Sequence, residues 1–224
     1  MRIDIMTLFP ETLGDVLSES ILGRAQERGY IHIDTHQIRD YTANKQNQTD
    51  DYPYGGGRGA VMTADPLYRC WEAICDEAGG PVHTIYMSPC GHTFKQADAI
   101  RLSKLDNIVI VCGHYEGIDE RIIELEVDEE ISAGDYVLTG GELPAAILVD
   151  CVARMQDGVL ANRECYEKES LSEGLLEYPQ YTRPEVFRGK RVPEVLLSGN
   201  HKEIEKWRYR AALEETMRKR PDLL

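Results

Sequence analysis

The chain has 224 residues, of which 42% are hydrophobic and 29% are charged, and its formal net charge is −14. This is the composition of an ordinary globular protein with one large domain, or one domain and a small appendage. No apolar run approaches the roughly 20 residues that cross a bilayer, and the N-terminus lacks the layout of a signal peptide, so we expect a cytoplasmic protein without a membrane partner.

Strand and helix patterns alternate through the first 155 residues. Short apolar runs predict strands at residues 3–8, 30–38, 82–87 and 108–111. Helical patterns occur at residues 10–28, 66–77, 94–105, 118–126 and 143–155, with Asp65 and Thr93 as expected N-caps. Such alternation predicts an α/β fold with a mostly parallel sheet and helices on both faces.

A long loop at residues 40–60 interrupts this alternation. It is polar at first and then combines two tyrosines with a run of glycines at residues 50–59. Loops of this length in compact domains are often functional, although flexible turn glycines are an alternative explanation. The Gly-Lys-Ser/Thr ending of a phosphate-binding loop is missing, so the motif does not predict nucleotide hydrolysis.

Two glycine-containing loops, residues 112–121 and 133–144, are the most informative features. The first follows the apolar run at residues 108–111, which predicts a buried parallel strand. Glycine just after a strand lets the backbone approach a ligand closely, and open α/β sheets bind small molecules at that edge. Neither loop contains a nucleophile elbow, a phosphate loop or a dinucleotide fingerprint, so we expect a ligand held mainly by backbone groups.

A metal site is a further explanation of the first of these loops. Cys90-Gly-His92 and Cys112-Gly-His114 repeat a pair of metal-ligating residue types, each after an apolar strand. Zinc sites usually use tighter clusters, and small thiols at strand ends are common in cores, so we expect no bound metal. The six cysteines also do not suggest a disulfide framework in a chain of this size.

The pattern changes after the fifth helix. Residues 156–172 are charged and weakly apolar and predict a linker, and a small C-terminal region with a last helix at residues 201–220 follows. Asn200 and Glu203 form a capping box at its start. The last helix also carries basic residues at fourfold spacing, which are either solvated or bind phosphate: Lys202, Lys206 and Arg210.

Charge is distributed unevenly between these regions. Residues 181–224 carry 11 Lys and Arg against 7 Asp and Glu, a net +4, whereas residues 1–180 carry 14 against 32, a net −18. Surface fields fade over about 10 Å at moderate salt, so a local basic region can bind phosphate on an otherwise acidic protein.

Several longer motifs occur together, in one order, over nearly the whole chain: Leu8-Phe9-Pro10 and residues 51–57, 86–89, 112–121, 134–144, 173–176, 181–185 and 195–201. In these motifs the chain resembles the bacterial tRNA (guanine-N1)-methyltransferases of the SPOUT class. The resemblance implies an α/β domain at residues 1–156 with a C-terminal trefoil knot that binds S-adenosylmethionine. A flexible linker at residues 157–172 and a small helical tRNA-binding domain at residues 173–224 follow.

The resemblance also implies a homodimer with each active site at the subunit interface. The implied substrate is tRNA, not DNA, and the target is the guanine immediately 3′ of the anticodon. By motif position, Asp50, Gly59, Tyr115 and Glu116 hold the target base. The cofactor is expected against a larger set: Tyr86, Ser88, Pro89, Gly113, Ala133, Gly134, Asp135, Tyr136, Val137, Leu138, Gly140, Gly141 and Pro144.

The implied reaction needs a base, because guanine N1 carries a proton at neutral pH and is a poor nucleophile. Negative charge then develops on the purine O6, which a cation stabilises. Arg154 matches the family's catalytic arginine, although an arginine at a helix C-terminus also suits the helix dipole. The family's general base is an aspartate, and the matching residue here is Glu169, with Glu167 as a local competitor. The extra methylene moves the carboxylate, and a misplacement of about 1 Å can cost about 100-fold in rate.

Three other functions stay open from the sequence. The same fold can methylate another RNA, although the loop at residues 50–59 and the motif at residues 181–184 favour tRNA. A protein that binds RNA or cofactor without catalysis is favoured only by the glutamate at position 169. A hydrolase can use two carboxylates such as those of Glu116 and Asp119, but an acidic residue at a helix start is favoured by the helix dipole alone.

Overall fold

The computed structural model describes residues 1–162, 166, 169–172 and 174–224. The chain forms two compact units, Met1–Asn162 and Arg163–Leu224. Cys165, Glu167 and Glu173 lie outside the described residues, as do other positions of the predicted linker at residues 157–172. None of the described helices is both long enough and apolar enough to span a bilayer.

The N-terminal unit alternates strands and helices. Its strands are β1 (Arg2–Thr7), β2 (His32–Gln37), β3 (Asp50–Asp51), β4 (Val61–Met62), β5 (His83–Thr93), β6 (Asn107–Cys112) and β7 (Glu129–Ser132). Its helices are α1 (Glu11–Ser18), α2 (Ser20–Glu27), α3 (Ala64–Ala78), α4 (Gln96–Leu102), α5 (Glu120–Glu126) and α6 (Glu142–Ala153), with a 3-10 turn at Ile38–Tyr41.

Five of these strands form one parallel sheet in the order β2-β1-β6-β5-β7. In the centre, Ile3 of β1 lies between Ile33 of β2 and Ile108 of β6. β3 and β4 form a separate two-stranded antiparallel pair. The predicted parallel sheet is confirmed, and all of its carboxyl ends therefore lie at one edge.

Helices cover both faces of the sheet, as the alternation of elements predicts. Side chains alternate across a strand, so Ile108 and Ile110 of β6 pack in one core cluster, with α1, α2, α4 and α6. Val109 and Val111 pack in the other cluster, with α3 and α5. β6 is apolar along its whole length because both of its faces are buried.

Three predicted helix starts or spans are wrong. The segment at residues 10–28 is two helices, because Glu19 is extended and Ser20 has a φ of +55°. Gly23 allows the close return of the chain, since a Cβ there would lie 1.9 Å from the Ser18 carbonyl oxygen. α3 and α4 are capped by Thr63 and Lys95 rather than by Asp65 and Thr93. Thr93 is still part of β5, which is longer than the apolar run.

A buried ion pair stabilises the edge of the sheet between β1 and β2. Asp4 is 1% exposed, and its carboxylate accepts hydrogen bonds from Arg2 Nε at 2.7 Å and His36 Nε2 at 2.7 Å. Burial alone would raise the pKa of Asp4, but the hydrogen bonds from His36 and Arg2 outweigh it and lower the pKa below its usual value. The carboxylate is therefore ionised and paired at neutral pH.

The C-terminal unit is small and mainly helical in its described part. It contains β8 (Val186–Phe187), β9 (Lys190–Arg191), α7 (Glu194–Leu197), α8 (His201–Lys219) and a 3-10 turn at Pro221–Leu223. α8 starts where the capping box predicts, and the Asn200 side chain accepts a hydrogen bond from the Glu203 backbone N–H at 3.4 Å. Its predicted basic face is exposed to solvent.

Candidate functional site

A cavity of about 560 Å³ lies in the N-terminal unit, at the carboxyl ends of β5, β6 and β7. Its volume is in the range of roughly 300–1,000 Å³ that is typical of small-molecule sites, and its position is where parallel α/β sheets bind ligands. The lining residues are 86–90, 113–118, 120, 123, 130–133, 136–141 and 144.

One wall of the cavity is a bulge in β5. Both Met87 and His92 pair with Ile131 of β7, so residues 88–91 leave the ladder between them. Pro89 cannot donate a ladder hydrogen bond, which favours such an interruption. Gly91 passes so close to β7 that a Cβ would lie 2.3 Å from the Glu130 carbonyl carbon. The bulge places the backbone and side chains of residues 88–90 on the cavity.

The opposite wall is made by two loops that touch through glycine. The Gly141 backbone N–H donates to the Gly113 carbonyl at 3.0 Å. A Cβ at Gly141 would lie 2.6 Å from Cys112 Cα, and a Cβ at Gly113 would lie 2.7 Å from the Tyr86 hydroxyl oxygen. No side chain fits at either position, so both loops present backbone to the cavity.

The floor of the cavity includes the phenol of Tyr86, at the end of the apolar part of β5. Tyr86 is buried, and this burial raises its pKa to about 12. The hydroxyl also forms a hydrogen bond with the backbone of Ile118. At neutral pH Tyr86 is therefore an uncharged wall residue and not a general base.

A buried polar network joins three separate segments behind the glycines. Glu142, in the first turn of α6, is 5% exposed. Its carboxylate accepts a hydrogen bond from Thr7 Oγ1 at 2.5 Å, and His114 Nε2 lies 2.8 Å from both of its oxygens. Thr7 Oγ1 also accepts from the Phe9 backbone N–H at 2.9 Å. The network ties the end of β1, the loop after β6 and the start of α6 together, and buried networks of this kind rigidify their surroundings.

Two of the four residues expected to hold the target base, Tyr115 and Glu116, lie on a tight turn at the mouth of the cavity. Tyr115 has a φ of +61°, and its ring is half exposed. Glu116 packs against Gly59, where a Cβ would lie 2.5 Å from Glu116 Cγ. Asp50 pairs across β3 and β4 with Met62, whose backbone N–H donates to the Gly117 carbonyl at 2.9 Å. The structure thus brings the end of the long loop next to the turn at residues 115–117.

Eleven of the thirteen positions predicted for the cofactor line the cavity, and Gly134 and Asp135 do not. Of the four predicted for the base, Tyr115 and Glu116 line it, whereas Asp50 and Gly59 do not, and Gly59 lies against Glu116. Arg154 directly follows α6. With a rise of 1.5 Å per residue, it is about 15 Å further along the helix axis than Pro144, which lines the cavity. Glu169 belongs to the other unit.

The geometry gives no support to a carboxylate-pair hydrolase. The Asp119 carboxylate caps α5 and forms a salt bridge with Arg121 at 2.6 Å. The hydrogen bond from Arg121 lowers the pKa of Asp119. Asp119 lines a second, neighbouring hollow with Tyr52 and Tyr54, while Glu116 lines the cavity described above. The two carboxylates therefore do not face one substrate space.

The histidines of the two Cys-Gly-His segments, which were considered as an alternative metal site, have carboxylate partners. His92 lies 3.3 Å from Asp98, and His114 is held by Glu142. Cys112 is fully buried, which raises the pKa of its thiol well above the usual value. Over residues 1–162, 166, 169–172 and 174–224, no group of three or more His, Cys, Asp or Glu side chains is arranged to hold a metal ion.

The fold and the cavity together define a class: an α/β protein with a parallel sheet and a cavity of ligand size, lined by glycine loops, at the carboxyl edge of the sheet. Comparison with protein families narrows this class. The family model described as tRNA (guanine-1)-methyltransferase TrmD matches residues 1–224. The chain belongs to this family, and the resemblance found in its motifs is confirmed.

Individual relatives match over the full length of the chain. Proteins named tRNA (guanine-N(1)-)-methyltransferase from Ruminiclostridium cellulolyticum and Lachnospira eligens are 52% and 53% identical to it over 223 residues. These matches cover 100% of this chain and 96% and 94% of the relatives. A Staphylococcus aureus protein of the same name is 51% identical over 224 residues, with 91% of its length covered.

Proposed function

We propose that this chain transfers the methyl group of S-adenosylmethionine to N1 of the guanine immediately 3′ of the tRNA anticodon, giving 1-methylguanosine. The observation that carries the proposal is the cavity at the carboxyl edge of the sheet. Eleven of thirteen predicted cofactor positions line it, in a chain that matches the methyltransferase family over its whole length. We also infer that the C-terminal part of the domain at residues 1–156 forms the trefoil knot that the family resemblance implies.

The residues of the cavity fit the proposed cofactor. A ligand with an adenine, a ribose and an amino acid needs a site with both apolar walls and polar backbone groups, within roughly 300–1,000 Å³. Gly113 and Gly141 add no side chain to the cavity wall, although the Gly141 N–H and the Gly113 carbonyl are hydrogen-bonded to each other, and Leu138 and Pro144 are apolar neighbours. S-adenosylmethionine supplies an electrophilic methyl group on a sulfonium, and the chain would hold that methyl in line with the acceptor nitrogen.

The chain's own residues would supply positioning, a base and a cation. Tyr115 and Glu116 at the mouth of the cavity would hold the guanine. The Glu169 carboxylate would take the proton from N1 as the methyl arrives, because the protonated nitrogen is a poor nucleophile. The Arg154 guanidinium would stabilise the negative charge on O6.

The position of Arg154 supports a homodimer with shared active sites. Within one chain it is about 15 Å further along α6 than Pro144 of the cavity wall, a separation longer than an arginine side chain. A two-fold dimer can bring the end of α6 from one subunit to the cavity of the other. We therefore propose that Arg154 acts across the subunit interface.

We assign tRNA binding to the C-terminal region at residues 173–224, the methyltransferase reaction to residues 1–156, and the connection with Glu169 to residues 157–172. The support for the first assignment is charge: the last 44 residues carry a net +4 on a chain of −14. Phosphate contacts by such a region give affinity that falls with salt. The proposed compartment is the cytoplasm, where tRNA is modified.

The proposed reaction is tested with two unmodified tRNA transcripts that differ only in guanine or adenine immediately 3′ of the anticodon. Methyl label from S-adenosylmethionine on the guanine transcript alone is the expected result. Label on both would refute the proposed target. Cofactor binding without label on either would refute the proposed activity, and the chain would then be a binder that has lost its base.

The proposed dimer is tested by subunit complementation. Arg154→Ala and Gly113→Val homodimers should both be inactive, the first without its cation and the second without its cofactor site. If Arg154 acts across the interface, random mixing restores one intact site in half of the dimers, or about one quarter of wild-type activity. No recovery in verified heterodimers would show that Arg154 acts within its own subunit.

A further inference from the structure

The C-terminal unit contains an exposed β-hairpin that the proposed function has not yet used. β8 (Val186–Phe187) pairs antiparallel with β9 (Lys190–Arg191), and Arg188 and Gly189 form the turn. Every residue from 181 to 191 is exposed. A two-stranded hairpin contributes little stability by itself, and this one shows solvent two large apolar side chains. Exposed apolar side chains on an otherwise unsupported hairpin are typical of a binding surface.

The hairpin holds positive charge that is not neutralised by neighbouring acids. Most cations on α8 and just after it have carboxylate partners within 3 Å: Lys206–Glu203, Arg208–Glu205, Arg218–Glu215, Lys219–Glu215 and Arg220–Asp222. Arg188 and Lys190 have no ion-pair partner among the residues that the structure describes, and neither has Arg183. Lys202 and Arg210 of α8 also have no such partner in the described part of the chain, and Arg191 of the hairpin pairs with Glu185 at 2.6 Å, so charge alone does not single out the hairpin.

An aromatic ring lies on the same face as these cations. Phe187 pairs directly across the hairpin with Lys190, so their side chains project to one side. The Arg188 guanidinium carbon lies 5.6 Å from the centroid of the Phe187 ring. The ring remains 63% exposed. A flat exposed ring flanked by two cations has the chemistry that recognises a nucleobase and its neighbouring phosphates.

The turn keeps an arginine where the backbone disfavours one. Arg188 has a φ of +48° and Gly189 a φ of +78°, the left-handed pair of a two-residue hairpin turn. Asn, Asp or Gly is preferred at the first of these positions, because other L-residues are strained there. Folding alone therefore does not explain Arg188, which points to a role in binding.

We propose that this hairpin is a contact site for tRNA, in which Arg188 and Lys190 bind backbone phosphates and Phe187 stacks on an unpaired base. The inference rests on the proposed function, since it assumes that tRNA is the substrate. Two exposed cations that have no ion-pair partner in the described part of the chain match a polyanion, although the whole chain carries a net charge of −14. The contact identifies which part of the basic region binds RNA: the hairpin rather than the ion-paired positions of α8.

The electrostatic part is tested by the salt dependence of tRNA binding in the full-length protein. The double variant Arg188→Asn and Lys190→Gln removes both charges and keeps a residue that suits the turn. Each lost phosphate contact should reduce the slope of log K against log salt by about 0.7 to 0.9, so the double variant should lose about 1.4 to 1.8. The matched control, Arg218→Gln with Lys219→Gln, removes the same charge from ion-paired positions and should keep the wild-type slope.

The aromatic part has a different signature. Phe187→Leu should weaken tRNA binding on the order of tenfold and leave the salt slope unchanged, because stacking releases no counterions. A melting temperature equal to that of wild type would exclude misfolding as the cause. A wild-type affinity for this variant would overturn the stacking contact.

Other results would overturn the hairpin contact as a whole. The first is a wild-type salt slope in the double hairpin variant, and the second is an equal loss of slope in the control variant. The third is a lower sedimentation mass of the double hairpin variant than of wild type, which would make the hairpin a contact between subunits. If wild type still methylates the guanine transcript, the proposed function survives each of these results. A wild-type protein that binds no tRNA would overturn the proposed function, and the hairpin contact with it.

Discussion

Gly141→Ala, which adds one methyl group, is the substitution that should disturb the proposed cofactor site most directly. The Gly141 backbone, with a φ of −83° and a ψ of −6°, is allowed for any L-residue, so an alanine there meets no conformational penalty. The cost is steric. The new Cβ would lie 2.6 Å from Cys112 Cα, and ordinary contact begins at 3.4 Å, so the two loops must separate by 0.8 Å.

The separation should affect stability moderately and catalysis strongly. Cys112 Cα and the Gly113 nitrogen are backbone atoms at the end of β6, so no side-chain rotation relieves the contact. Overpacking of this kind costs about 1–3 kcal/mol of stability. A shift of nearly 1 Å in the loops that we propose hold the methyl donor should lower the rate of methyl transfer about 100-fold.

The assay combines calorimetric titration with S-adenosylmethionine, single-turnover methyl transfer to tRNA, and thermal unfolding. Gly14→Ala is the matched control, since a Cβ at Gly14 of α1 has no atom within 4 Å. Alanine should stabilise that helix by about 0.5–1 kcal/mol and leave activity unchanged. If Gly141→Ala retained both wild-type cofactor affinity and wild-type rate, the glycine loops would not form the cofactor site.

Three further predictions concern the buried pair, the cavity and the proposed base. Asp4→Asn should lower the free energy of unfolding by about 3 kcal/mol at pH 7, because it removes the buried carboxylate that accepts hydrogen bonds from Arg2 and His36, although Arg2 keeps its contact with Glu77. Since the folded pKa of Asp4 is depressed, urea titrations should show this difference fading as pH falls through that pKa. Cys90 lines the cavity and should react with a maleimide unless S-adenosylmethionine protects it, while buried Cys112 should stay unlabelled; peptide mapping that finds the reverse would contradict the proposed site. Glu169→Asp introduces the residue type that the family uses as its base, so the variant should retain single-turnover methyl transfer at a rate comparable to wild type; activity that appears only in the variant would show that the native glutamate is not a base.

The strands that the sequence predicts well are those whose burial is encoded locally. β6 is apolar on both faces, and its predicted span, residues 108–111, lies within one residue of each observed end. β7 was not predicted, because two of its four residues are glutamates. Glu129 is accommodated by contacts with His83 at 2.6 Å and Arg101 at 2.7 Å, which come from distant parts of the chain. The hydrophobic periodicity of a strand cannot reveal partners that lie far away in the sequence.

The same distinction holds for the candidate site. The glycine loops can be recognised in the sequence, because a glycine directly after a strand indicates a place where the backbone can approach a ligand. In the structure the two loops do meet at the carboxyl edge of the sheet. The network of Thr7, His114 and Glu142 was not predicted, since its members are separated by up to 135 positions. The bulge at residues 88–91 was also missed, although Pro89 within a strand pattern is a signal for it.

Tyr115 has a consequence for any attempt to improve this protein. Its left-handed backbone conformation costs a non-glycine residue roughly 1–2 kcal/mol, and its ring lies half exposed at the mouth of the cavity. A selection for thermal stability alone would therefore favour glycine at this position and remove the ring. Redesign guided by stability would then yield a more stable protein that lacks the ring proposed to hold the target base. Position 115 should therefore be kept as tyrosine in such libraries.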